Sequence, residues 1–282
     1  MLNGHCSKQE DHSTAKRLEG KVAIITGGAS GFGESTARLF VGNGAQVVVG
    51  DVQDELGQAL CQSLGKNAVY VHCDVTSDAD VKNLVEATVS KFGKLDIMFN
   101  NAGVLGNNKD CSILDADGQD FRRVFDVNVF GGFLGAKHAA KAMVPPAGRG
   151  GVILFTSSAA SVTAGVMPHP YTASKHAIVG LTKNLCVELG QYGIRVNCIS
   201  PCAVATPFAV EAMGVEKSVV EEIISASANL KGVVPAAEDV AEAALFLASD
   251  ESRVVSGLNL VVDGGYSTTN QAFIATMKQV LY

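Results

Sequence analysis

Short, almost uninterrupted runs of β-branched and aliphatic residues alternate along this chain with longer stretches whose apolar positions recur every three or four residues. The short runs predict buried strands at 22–26, 46–50, 69–73, 95–99, 151–156, 194–199 and 258–262. Between them a helical period dominates. Ala37, Phe40 and Val41 stand at i, i+3 and i+4 after the first strand. Val81, Leu84, Val85 and Thr88 mark a helix over 78–91, with Thr76 to Asp78 as capping residues, and Asp239 opens another that runs through Ala248. Such alternation is the signature of a parallel sheet covered by helices on both faces. Right-handed crossovers favour the doubly wound strand order 3-2-1-4-5-6 with a seventh strand added. No fixed-period repeat interrupts the pattern, so one domain is expected from residue 17 to 282, preceded by a polar, disordered N-terminus at 1–16.

In such a sheet a ligand lies outside the carboxyl ends of the strands. That rule gathers Gly27, Asp51, Asp74, Asn100, Ser158 and Pro201 onto one edge. The first strand runs into Gly27-Gly28-Ala29-Ser30-Gly31-Phe32-Gly33 and then a helix, so glycines allow backbone to approach a ligand while a helix N-terminus offers free N–H groups to a pyrophosphate. The spacing is G-x-x-x-G-x-G rather than G-x-G-x-x-G. Asp51, at the end of the second strand, is placed to accept the hydroxyls of an adenosine ribose. Tyr171 and Lys175 lie one helical turn apart. A tyrosine of pKa about 10 becomes a working base if a neighbouring ammonium lowers it by roughly three units, and Lys175 is expected to do so. Ser158, thirteen residues before Tyr171, supplies a hydroxyl after the fifth strand, although Ser157 and Ser161 compete for that role. His169, between Pro168 and Pro170, is expected in a loop.

With 47% hydrophobic and 18% charged residues, the 282-residue chain is long and apolar enough to bury a large core. Its net charge of −6 gives no basic footprint for nucleic acid or anionic membrane. The seven cysteines form no C-x-x-C pair and are expected to stay reduced; Cys198 and Cys202 straddle a strand end while His72 and Cys73 lie on a separate strand with alternating faces, which disfavours a metal. No stretch of eighteen apolar residues predicts a membrane span, and Glu10 and Asp11 argue against an organelle leader, so a cytoplasmic location is expected.

From about residue 17 to the end, these motifs resemble the short-chain dehydrogenase/reductase family. The resemblance implies a single-domain Rossmann fold and NAD as cofactor. It assigns the cofactor to Gly27, Ser30, Gly31, Phe32 and Gly33 in the turn and to Asp51 and Val52 at the ribose. Asp74 and Val75 fall beside the adenine, Asn101, Ala102 and Gly103 follow the fourth strand, and Pro201, Val204 and Thr206 fall near the nicotinamide amide. Asn128, Ser158, Tyr171 and Lys175 match the catalytic four, the family's spacing selecting Ser158 among the serines. Lys175 would also bond the nicotinamide ribose, and Asn128 would hold a proton-relaying water, unless it is a satisfied core asparagine. Cys202 stands where the family usually has glycine, and Phe32 where it has a small aliphatic residue. Arg195 is expected in a structural ion pair, and His138 and His176 on helix surfaces or an interface.

Residues 204–234 read as a helical lid over the substrate, for which Val104, Leu105, Ala159, Val166, Met167 and Phe208 are candidate contacts beside Ser158. Lys137-His-Ala-Ala, Asn229 to Gly232 and the long tail resemble the plant branch acting on lignans, xanthoxin and borneol-type monoterpenols. The expected reaction is NAD-dependent oxidation of a small apolar secondary alcohol, a cyclic monoterpenol first and a lignan diol second, to a ketone or lactone. A non-redox NAD-binding cyclase or isomerase, or a non-catalytic binding protein, is the alternative. The resemblance also implies a homotetramer through helices near 121–142 and 171–190 and the last strand, with Phe273, Ile274, Met277, Val280 and Leu281 of the 266–282 tail at helical spacing.

Overall fold

The computed structural model describes residues 16–107, 112–165 and 167–269. The N-terminal disorder, the Val166 contact and the apolar helical tail expected from sequence lie at positions outside these residues. The described chain runs β1 (Val22–Thr26), α1 (Gly31–Gly42), β2 (Gln46–Asp51), α2 (Asp54–Leu64), β3 (Ala68–His72), α3 (Asp78–Phe92) and β4 (Ile97–Asn100). It continues through α4 (Gly118–Phe125), a π-helical turn (Asp126–Gly131), α5 (Gly132–Met143), β5 (Gly151–Thr156) and α6 (His169–Leu189). Next come β6 (Ile194–Pro201), α7 (Pro207–Met213), α8 (Lys217–Ser227), α9 (Ala237–Ala248) and β7 (Asn259–Val262).

The strands form one parallel sheet in the order β3-β2-β1-β4-β5-β6-β7, which is the doubly wound arrangement with its seventh strand. Strand alternation divides the core in two. Ala23, Ile25, Val47, Val49 and Phe99 pack on the side of Phe40, Leu60 and Leu245. Ile24, Val48, Met98 and Ile153 face Leu84, Leu134 and Ile178 on the other. Both faces being dry explains why these strands read as continuous apolar runs rather than alternating ones.

The differences from the sequence reading are local. β4 begins at Ile97 rather than 95; just before it, Asp96 already bonds through its backbone to Val22 and Val152 (both 2.9 Å), and its Oδ2 accepts the Val22 N–H at 2.8 Å. Arg195 makes no ion pair among the described residues; its guanidinium donates to the carbonyls of Leu247 (2.7 Å), Ser249 (3.2 Å) and Val255 (3.2 Å), closing the C-terminal end of α9. His138 is buried, with Nε2 3.0 Å from the Asp78 carboxylate at the start of α3. His169 opens α6 instead of lying in a loop, Pro170 having the fixed φ that suits a first helical turn. No helix of the described residues is long and apolar enough to cross a membrane.

Candidate active site

Where the strand order reverses, the exits of β1 and β4 lie side by side. Thr26 Oγ1 accepts the N–H groups of Asn101 (3.1 Å) and Ala102 (3.3 Å). The Asn101 amide donates back to the carbonyls of Thr26 (3.2 Å) and Gly27 (3.0 Å), while its oxygen accepts the Thr156 hydroxyl at 2.9 Å. Its side chain therefore staples β1, β4 and β5, a building task that the cofactor assignment did not foresee.

The glycine turn admits only backbone. A Cβ on Gly33 would stand 2.1 Å from the Gly27 carbonyl oxygen, and Gly27 itself has a φ of +60°. This tight entry brings the start of α1 against β1. Ser30, its N-cap, makes no side-chain capping bond, so first-turn N–H groups keep their capacity for an anion beside the positive end of the helix dipole. At the end of β2, Asp51 is buried, with Oδ2 accepting the Ala29 N–H at 3.0 Å and Oδ1 accepting the Gln53 N–H at 3.0 Å. Val52 beside it is exposed. Asp74 Oδ1 accepts the Thr76 N–H (2.9 Å) and hydroxyl (2.8 Å), and Val75 is buried where any Cβ on Gly131 would meet it. A backbone cradle, a helix N-terminus and an anchored carboxylate in this order fit a dinucleotide.

Beyond the cradle the reacting groups converge. Ser158 leaves β5 and accepts the Ala160 N–H at 3.1 Å, and its side chain also bonds Tyr171. Ser157 gives its hydroxyl to the Lys175 carbonyl (2.9 Å), and Ser161 lies against Ser200 (3.1 Å) and Asn259 (3.3 Å). Both competing serines are thus spent inside the fold. Lys175 is buried, its Nζ donating to the Thr156 carbonyl at 2.8 Å and lying 5.4 Å from the Tyr171 ring centroid.

Burial pulls Lys175 down to about 8. It also pushes Tyr171 up from the usual phenol value, with the Ser158 bond acting against that rise. The sequence expectation that Lys175 lowers Tyr171 is corrected here: desolvation of the phenolate dominates, and the ammonium is engaged with a carbonyl beside the ring.

Asn128 sits in the π-helical turn, buried to 3% exposure. Its oxygen accepts the Val104 N–H at 2.8 Å, and its amide donates to the Val104 carbonyl (2.9 Å) and to Ser174 Oγ (3.0 Å). The side chain acts as a strand partner for the chain leaving β4. Val104, expected at the substrate, has both its backbone groups held by Asn128 and is not among the residues lining the cavity. A Cβ on Gly103 would reach Asn128 Oδ1 at 3.2 Å and Lys175 Nζ at 3.5 Å, so that glycine separates the two polar residues.

A cavity of about 530 Å³ opens over Ser158 and Tyr171. Leu105, Ala159, Met167 and Phe208 line it as expected, together with Phe32, Pro201, Val204 and Thr206 from the cofactor set. Thr206 caps α7, accepting the Ala209 N–H at 3.4 Å, and its side chain lies 3.6 Å from where a Cβ on Gly31 would be. Cys202 faces the same space, its thiol pushed up to about 11 by burial, so it is a neutral wall. The sequence reading missed Ala212, Ser227 and Tyr266. Phe208 with Ala212, and Ile223 with Ser227, share the i, i+4 spacing that would have found the first two; Tyr266 carries no such signal.

The chain is similar over most of its length to known proteins. A family model described as enoyl-(acyl carrier protein) reductase matches residues 27–267. The short chain aldehyde dehydrogenase 1 of Euphorbia lathyris is 57% identical over 287 residues, spanning 99% of this chain and 98% of its own. The mitochondrial borneol dehydrogenase of Lavandula x intermedia is 55% identical over 256 residues, 91% of this chain and 94% of its own. The solved 3-ketoacyl-(acyl-carrier-protein) reductase of Brucella melitensis, complexed with NADH, has a TM-score of 0.79 at 35% identity and covers 89% of this chain and 99% of its own. With a family model matching residues 27–267 and relatives 57% and 55% identical along nearly the whole chain, the doubly wound sheet is that of an oxidoreductase with a nicotinamide-cofactor fold: the chain belongs to the short-chain dehydrogenase/reductase family.

Proposed function

We propose that the enzyme is an NAD-dependent dehydrogenase of small apolar secondary alcohols, with cyclic monoterpenols of the borneol type first and lignan diols second. The carrying observation is the cavity wall: Phe32, Leu105, Met167, Phe208 and Ile224 give it a mainly apolar lining over the hydroxyl pair of Ser158 and Tyr171, with Thr163, Thr172, Ser227, Asp263 and Tyr266 as further polar groups on it. Affinity then comes from burial at roughly 25 cal/mol per Å² of apolar surface, and orientation from the single alcohol oxygen held by that pair. A bound nicotinamide supplies the hydride acceptor. Ser158 would hold the substrate oxygen, Tyr171 in its phenolate form would take the alcohol proton while the carbinol hydrogen leaves with its electron pair to the nicotinamide, and Lys175 would turn from Thr156 towards the cofactor ribose. Asn128 keeps Val104 and the reacting edge in place. Helices α7 and α8 act as the lid. NAD is the preferred cofactor because Asp51 opposes a 2′-phosphate and Val52 supplies no cation for one. The assembly is a homotetramer and the location cytoplasmic.

The test is reduction of NAD or NADP, followed at 340 nm, with borneol-like, isopiperitenol-like, lignan, sugar and hydroxy-acid substrates. The highest kcat/KM is expected for NAD with an apolar alcohol, and Tyr171→Phe is expected to fall below a tenth of wild type while still binding NADH. Equal efficiency with NADP overturns the cofactor assignment. A preference for sugars or hydroxy acids overturns the substrate class, and NADH binding without turnover moves the reading to a non-redox protein.

A further inference from the structure

The adenosine end of the site contains a side-chain cluster that the cofactor assignment does not use. Tyr70, on β3, brings its hydroxyl to 2.6 Å from the Asp51 carbonyl and 2.6 Å from Asp54 Oδ1. His72, two residues further along the strand and in register with Asp51, places Nδ1 2.7 Å from the same Asp54 oxygen. Asp51 ends β2 and Asp54 begins α2, so one phenol from a neighbouring strand bridges both ends of the 51–54 turn. The Asp51 carbonyl also accepts the Cys73 N–H at 3.0 Å. With the phenol, both of its lone pairs are used.

A second observation shows that this contact is built into α2. Gly57 lies inside that helix, where glycine costs about 1 kcal/mol relative to alanine. A Cβ there would stand 2.2 Å from two carbons of the Tyr70 ring. The helix therefore carries a gap shaped for the ring that reaches the turn. The Asp51 carboxylate, anchored to Ala29 and Gln53, depends for its direction on the backbone that Tyr70 fixes.

We infer that Tyr70, seated on Gly57 and bonded to Asp51 and Asp54, is a positioning residue that aims the Asp51 carboxylate at the adenosine ribose and so sharpens selection of NAD over NADP. The single phenol proton is shared between the Asp51 carbonyl and Asp54 Oδ1, and His72 completes the cluster by donating to the same Asp54 oxygen. The inference rests on the proposed pairing of Asp51 with the ribose, and the experiment separates the two.

Dissociation constants for NADH and NADPH are measured by fluorescence for wild type, Tyr70→Phe, Gly57→Ala and Asp51→Ala, together with kcat at saturating NAD. Tyr70→Phe is expected to weaken NADH about five- to tenfold, the scale of one lost hydrogen bond, while leaving NADPH affinity and saturated kcat near wild type. Gly57→Ala is expected to move the same way, and Tyr70→Phe decides the matter if that variant does not fold. If Asp51→Ala weakens NADH but Tyr70→Phe does not, the positioning role is overturned. Equal weakening of NADH and NADPH by Tyr70→Phe overturns it too, since a merely structural loss would do that. If Asp51→Ala leaves NADH affinity unchanged, the ribose pairing itself falls.

Discussion

At the scale of single residues, the site is built by polar groups bonding to backbone as much as to each other. Lys175 donates to Thr156, Asn128 holds Val104, and Asn101 ties three strands. The identities of Ser158, Tyr171 and Lys175 were legible because their spacing is local to one strand exit and one helix. Their protonation was not legible, because it depends on burial that only the packed fold creates. Lys175, pulled down to about 8, sets a pH dependence whose sign follows from proton counting. Between that value and about 10.4, where an unfolded lysine titrates, the unfolded chain binds more protons than the folded one, so this residue's contribution to stability rises with pH. The melting-temperature difference between wild type and Lys175→Met, measured without cofactor, is expected to shift in favour of wild type between pH 7.5 and 9.5. No shift would place the lysine's titration outside that window.

Elements were read with uneven success, for physical reasons. The strands of the sheet announced themselves as continuous apolar runs because helices cover both faces, and α3 announced its start through Ser77, which accepts the Asp80 N–H. The helices expected near 121–142 are α4 and α5, and the π-helical turn that joins them at Asp126–Gly131 was not legible, since a widened turn leaves the apolar period almost unchanged. Arg195 misled for a related reason. A cation in a strand suggests a carboxylate partner, whereas here the end of α9 offers carbonyls that serve as well. Helices α7 and α8, proposed as the lid, fall within the helical region read at 204–234, and their i, i+4 pairs Phe208 with Ala212 and Ile223 with Ser227 line the cavity.

For the whole molecule, the exposed apolar groups support the proposed assembly. Phe121 and Phe125 stack at 4.7 Å and Phe130 and Phe133 at 6.2 Å, on α4, the π-helical turn and α5, and Phe121, Phe130, Phe133 and Val187 of α6 are exposed. Ordered aromatic surface of this kind is what an isologous interface buries. Light scattering is expected to give four times 29.2 kDa, and Phe133→Asp is expected to yield a smaller species. A wild-type monomer at micromolar concentration would overturn the tetramer. Position in the sheet, by contrast, was readable before any contact was known, because crossover handedness and the carboxyl-end rule leave few topologies for seven such strands.

The widened turn at Asp126–Gly131 has a consequence for how the chain tolerates length changes. A π-helical turn holds one residue more than the α-helical turn it replaces, so excising one residue there lets regular geometry close up with α4 and α5 still facing as before. Elsewhere in a helix the same excision would rotate everything downstream by about 100°. A chain lacking Val127 is therefore expected to keep its far-ultraviolet circular dichroism and a cooperative melt while losing the Asn128 clamp on Val104, and with it most turnover. Loss of the fold on that one deletion would show that the extra residue supports the architecture itself, whereas retention would make the clamp a removable insert carried by an otherwise ordinary helix.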